Sequence, residues 1–169
     1  MGTQGIVVGR VVNVRNHPNG DRIWLADVDL GRGGEPVQIV FGGKRGVIQP
    51  KSLVPVAPPG SRLHGVKMRR RRYRGQASYG MLCSLAELGW DPAVKDRVAR
   101  LAPSAHLKPG TRLDDRANDW QSIILNPRSQ RAVGVFIAKR QVFPAEWRLG
   151  KGGVLRRRRA RQGVSSLGG

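Results

Sequence analysis

Acidic residues are absent from a long internal stretch of this chain: between Pro36 and Ala86 there is no Asp or Glu, against ten Lys and Arg. They are nearly absent again from Trp120 to the C-terminus, where eleven Lys and Arg face Glu146 alone. The rest of the 169 residues is neutral, ten basic on ten acidic, so these two segments carry the whole formal charge of +20. A charge excess concentrated in this way marks contact surfaces for a polyanion rather than general solubility, and nucleic acid leads the candidates.

Cysteine is scarce too. Cys83 stands alone, which excludes an intrachain disulfide and a Cys-rich zinc site and points to a reducing, cytoplasmic setting. Long apolar runs are missing: "MGTQGIVVGRVVNV" is broken by Gly9 and Arg10, too short and too polar for a signal peptide or a membrane span, so no membrane partner is expected. Ile6 stands where N-myristoylation needs Ser or Thr. No internal repeat is evident.

Catalytic constellations are also lacking. His17, His64 and His106 are each remote from any Cys, Asp or Glu at ligand spacing, so no metal is expected, and His17 reads as a local turn residue. Asp27 and Asp29 share one strand face, which is more often a solvated surface than a carboxylate pair for catalysis. "GGKRG" at 42–46 lacks the spacing of a phosphate loop, although its Lys44 and Arg45 add to the charge. Cys83 has no histidine nearby to activate it and reads as a small buried side chain. Neither catalysis nor a cofactor is implied.

What is present is a succession of short strands. Ile6–Val14 is rich in Val and Ile and ends at the turn "NHPNGD"; Arg22–Leu30 alternates apolar and polar positions; "GRGGEP" leads to Val37–Phe41. Leu53–Ala57 reads as a further strand, with Pro55 implying an edge or a bulge. Val66–Arg74 can run extended and Met81–Ser84 continues it, while only Leu85–Leu88 suggests a helical turn. The fold class is therefore all-β, a five-stranded barrel with one short helix and a basic C-terminal extension.

Within the acid-free stretch, Arg62, Lys67, Arg69, Arg70, Arg71, Arg72 and Arg74 crowd into thirteen residues. On an extended chain alternate residues recur every ~6.6 Å on each face, so arginine would occupy both faces and the segment must project from the barrel. Arginine grips phosphate bidentately and stacks on bases, and Tyr73 offers a ring for the second task. In the C-terminal segment, Arg156, Arg157, Arg158, Arg159 and Arg161 form a second cationic run. Three regions follow: a barrel over 1–116, an extension over 117–150 that packs or closes a homodimer, and a Gly/Arg-rich tail over 151–169 expected to be disordered.

Four stretches, "VVGRVVNVRNHPNGDRIWLADVDLG", "GEPVQIVFGG", "VPVAPPGSRLHGVKMRRRRYRGQASYGMLCSLAELG" and "LKPGTRL", resemble in order the tRNA-binding OB domain of the bacterial phenylalanyl-tRNA synthetase β subunit. Similar domains occur at the C-terminus of some methionyl-tRNA synthetases and as stand-alone tRNA-binding proteins. The resemblance spans roughly Gly5 to Leu113, and its RGxxSxGMLCS core is the most diagnostic part. It implies an OB barrel that binds tRNA, or structured RNA more broadly, without catalysis, with an aminoacyl-tRNA synthetase as a candidate partner. It places Lys67–Arg74 together with Ser78, Gly80 and Met81 on the RNA-facing surface, and gives Asn19, Gly20 and Asp21 a structural turn. Two departures stand out: "FGGKRGV" replaces the family's usual loop after the third strand, and Tyr79 replaces a usual acid. The competing readings are a remnant synthetase subunit that contributes to aminoacylation and a general RNA- or DNA-binding basic protein.

Overall fold

The computed structural model describes residues 2–125, together with the backbone of the short strands Trp147–Leu149 and Leu155–Arg157. Its main sheet has five strands: β1 (Val7–Asn16), β2 (Ile23–Asp29), β3 (Val37–Gly42), β4 (Leu53–Ala57) and β9 (Met81–Leu82), in the order β3-β2-β1-β4-β9. β1, β2 and β3 form the expected antiparallel meander. β1 carries a bulge between Val11 and Asn13 that turns Val12 outward, 48% exposed, and the extra residue bends the strand so that it can pair with both β2 and β4.

The sheet curls until its edges are bridged. On edge strand β3, Val40 N–H donates to Ser78 Oγ (2.9 Å), Gln38 accepts at its carbonyl from Tyr79 N–H (2.8 Å), and Gln38 Nε2 donates to Ala77 O (2.8 Å). Residues 77–79 lead directly into β9, the opposite edge. A few specific bonds rather than a continuous ladder thus join the two edges around a core that includes Val8, Leu25, Ile39, Val56, Leu82 and Leu85.

Pro55 does not mark an edge strand, because β4 lies between β1 and β9. Its carbonyl accepts from Cys83 N–H at 3.0 Å; the Cys83 carbonyl, which would otherwise face the missing proline N–H, accepts from Ala99 N–H at 2.9 Å. The proline sits at the seam where one partner segment gives way to the next, so no ladder bond is lost.

Leu85–Leu88 is the single turn expected, too short to count as a helix, and it is held by a reciprocal pair: Ser84 N–H donates to Glu87 Oε1 (2.8 Å) and Glu87 N–H donates to Ser84 Oγ (3.1 Å). This has the pattern of a capping box, and the turn goes no further because Gly89 adopts φ +76° and the chain reverses. Among the described residues the helical segments are the 3-10 turns Pro103–Ala105 and Trp120–Ser122, and no helix is long and apolar enough to cross a membrane.

The core continues past residue 116. Ala102 N–H donates to Ile123 O (2.7 Å), Leu125 N–H to Arg100 O (2.9 Å), Ile123 and Ile124 are buried, and Trp120 stacks on Trp90 at 6.2 Å between ring centroids. The packed unit therefore takes in residues assigned above to the extension. Within the C-terminal region, β10 (Trp147–Leu149) pairs antiparallel with β11 (Leu155–Arg157), so a strand lies inside the stretch that composition assigned to disorder. Residues 126–146, on which the dimer expectation chiefly rests, lie outside the described residues.

Candidate nucleic-acid interface

Val66–Arg74 does not form one extended strand. Residues 62–78 fold into two successive hairpins with two-residue turns, β5 (Arg62–Leu63) with β6 (Val66–Lys67), and β7 (Arg71–Tyr73) with β8 (Gln76–Ser78). Their turns are His64–Gly65 (φ +51° and +81°) and Arg74–Gly75 (φ +50° and +88°). Positive φ at both central positions is the signature of the type I′ turn, whose twist matches the flanking strands and which favours glycine at the second position.

The two hairpins repeat one local design at a ten-residue interval, which reading the sequence for repeats did not reveal. Arg62 Nη1 donates to Gly65 O (3.1 Å), and Arg72 Nη1 donates to Gly75 O (2.9 Å). Leu63 and Tyr73, one position after each arginine, are both buried. The signal lay in R-x-x-G, present as "RLHG" and "RYRG". Apolar anchors at Leu63, Met68 and Tyr73 point into the core, which leaves Arg62, Lys67, Arg69, Arg70 and Arg72 exposed. Lys67, Arg69 and Arg70 make no hydrogen bond or ion pair among the described residues, so their donors are available to a ligand.

The second hairpin is clasped from below by the β1–β2 turn. Buried His17 (3% exposed) accepts from Asn19 N–H at Nδ1 (2.9 Å), which places its proton on Nε2, and Nε2 donates to Tyr73 O at 2.8 Å. Arg74 Nη1 donates to Asn19 O (2.8 Å), and Asn19 Nδ2 donates to Arg74 O (3.2 Å). These contacts hold Arg74 in a left-handed conformation that a non-glycine residue adopts only at some cost. His17 is therefore more than a local turn residue.

Several residues expected at the RNA-facing surface have other positions. Tyr73 is 2% exposed, and burial pushes its hydroxyl well above the ordinary tyrosine value, with Arg71 opposing, so its ring is an anchor and not a stacking surface. Ser78 is buried, where its Oγ accepts from Val40 N–H and donates to Gly80 O. Met81 is in the core. Gly80 is buried at φ +115°, and a Cβ there would lie 2.5 Å from Ala57 O, so glycine serves backbone packing. The SxGM motif is thus placed mainly in the packing of the sheet and its bridged edges.

Tyr79, unlike Tyr73, is only partly buried. The guanidinium carbon of Arg70 lies over its ring, 4.8 Å from the centroid. Lys44 and Arg45 are exposed on the loop after β3. Arg156 and Arg157 belong to β11, and Arg158, Arg159 and Arg161 lie outside the described residues. Asp27 pairs with Arg15 at 2.7 Å and Asp29 accepts from Gly31 N–H, which gives both acids structural partners. Cys83 is buried, and burial and the neighbouring Glu87 push its thiol up. Among the described residues no three His, Cys, Asp or Glu side chains gather as a metal site.

A sheet whose bridged edge carries tandem cationic hairpins defines a nucleic-acid-binding β module, and the comparisons give the family. The model of the putative tRNA binding domain matches residues 6–112, and the chain belongs to that family. It is 43% identical over 123 residues to the phenylalanine–tRNA ligase beta subunit of Symbiobacterium thermophilum, covering 70% of this chain and 13% of that protein. The corresponding subunit of Staphylococcus epidermidis is 46% identical over 111 residues, covering 63% and 13%. The chain thus spans about an eighth of the length of these relatives. Among solved structures, the C-terminal domain of Plasmodium vivax p43 is 21% identical with a TM-score of 0.45, covering 64% of this chain and 57% of that one.

Proposed function

We propose that this domain binds tRNA through its phosphate backbone and catalyses no reaction on it. The observation that carries the reading is the pair of tandem hairpins, in which buried Leu63, Met68 and Tyr73 fix a scaffold while Arg62, Lys67, Arg69, Arg70 and Arg72 stay exposed with no acid in the segment. Backbone contacts position an RNA without reading its sequence, so all tRNAs should bind alike. Burial of Cys83 beneath a raised pKa supports a role without nucleophilic chemistry.

The names of the relatives support a setting beside phenylalanine–tRNA ligase, as a module that adds tRNA affinity to a catalytic partner. If about five phosphates are neutralised, log K should fall against log salt with a slope of roughly −3.5 to −4.5. Alanine at Lys67, Arg69 and Arg72 together should weaken all tRNAs equally. A slope near zero, or unchanged affinity in the triple variant, would overturn the reading; adenylate formation by the isolated chain would overturn its non-catalytic part.

A further inference from the structure

We propose that Arg70 and Tyr79 together form a nucleotide step on the arginine hairpin, the guanidinium taking a phosphate and the aromatic surface an unstacked base. The inference rests on the tRNA-binding reading and deepens it, because it adds base contact to a surface so far described only as an electrostatic grip.

The first argument is the state of Arg70. Its guanidinium stands over the Tyr79 ring, 4.8 Å from the centroid, yet among the described residues it makes no hydrogen bond or ion pair. The contact with the ring settles the cation in place while its N–H donors stay free, and a pre-positioned guanidinium loses less freedom when it grips phosphate. Arg62 and Arg72, by contrast, each give a donor to their own turn.

The second argument is the rigidity of Tyr79. Its N–H is fixed to Gln38 O at 2.8 Å, and its neighbours Ser78 and Gly80 are both buried, the first bonded to Val40 N–H and the second packed against Ala57 O. The hydroxyl has no hydrogen-bond partner among the described residues, so the contact with Arg70 is what the structure gives the ring at this partly buried position. A ring on so firm a base, next to a free cation, suits stacking, which tolerates any base because each has a π face. A fully paired helix offers its backbone but keeps its bases stacked inside; unpaired RNA offers both.

The test uses the full chain, with affinities measured at fixed salt for unfractionated tRNA, single-stranded oligoadenylate and a blunt RNA duplex of equal length. Tyr79→Leu should weaken tRNA and oligoadenylate about 5- to 100-fold, leave the duplex within about twofold and leave the salt slope unchanged, whereas Tyr79→Phe should bind like the wild type. Arg70→Ala should weaken all three probes and make the slope shallower by about 0.7 to 0.9. A 2-aminopurine base in the oligoadenylate should be quenched by the wild type and not by Tyr79→Leu, a readout that a change in stability alone does not mimic once urea midpoints show both proteins folded. Equal losses on all three probes, or none on any, overturn the step. Loss of binding on replacing Lys67, Arg69 and Arg72, with Tyr79→Leu unchanged, would remove the step and leave the backbone reading standing.

Discussion

The Nε2 of His17 donates to the carbonyl oxygen of Tyr73 across 2.8 Å and 56 residues, so a turn between two sheet strands holds the arginine hairpin in place. Asn19 N–H donates to the other ring nitrogen, which sets the tautomer with the proton on Nε2. The cationic surface is thereby coupled to the fold of the sheet.

Replacing His17 with alanine should destabilise the domain by about 1 to 3 kcal/mol, since it leaves the Tyr73 carbonyl without its donor and opens a buried gap. Hydrogen exchange should show amides of Arg71–Ser78 opening faster while those of the β1–β2 ladder hold. Equal acceleration everywhere would mean that His17 supports the whole domain and does not clasp the hairpin.

Ser78→Ala separates scaffold from contact. It deprives Val40 N–H of its acceptor inside the structure, which costs about 1 to 3 kcal/mol. Below the melting transition its tRNA affinity should stay within about twofold of wild type, in contrast to the arginine variants. A large loss of affinity in a folded Ser78→Ala protein would restore this serine to the RNA surface.

Burial raises the Glu87 carboxyl from its ordinary 4.5 to about 7, with the Ser84 N–H and hydroxyl opposing. Between those values the folded chain holds a proton that the unfolded chain has released, so stability falls as pH rises through that window and levels off above it. The difference between wild type and Glu87→Gln isolates this contribution: in thermal melts at pH 4.5 and 8, the wild type should lose about 1 to 2 kcal/mol more than the variant on going to the higher pH, half-exposure having weakened the effect. Parallel pH profiles would remove Glu87 as the source.

Strand alternation and turn chemistry made β1 to β4 legible, because a sheet with one buried face writes its period into the sequence. The charge census also located the cationic surface. Pro55 misled because a missing N–H can be accommodated wherever the partner segment changes, a tertiary circumstance that no local pattern records. "MRRRRYRG" misled because five arginines in eight residues suggest one exposed strand, whereas Gly65 and Gly75 bend the chain twice and turn Tyr73 inward. The resemblance identified the family correctly, but the residues by which it is recognised, Ser78, Gly80 and Met81, are buried in the packing of the sheet and its bridged edges.

That inward tyrosine sets a trap for mutagenesis. An alanine scan across Met68–Arg74 would single out Tyr73 as the strongest determinant of RNA binding, since losing a buried aromatic costs about 3 to 5 kcal/mol. What would fall is the fraction of molecules able to bind, not the strength with which each competent molecule binds. Active-site titration with excess RNA, run beside the affinity measurement, tells the two apart.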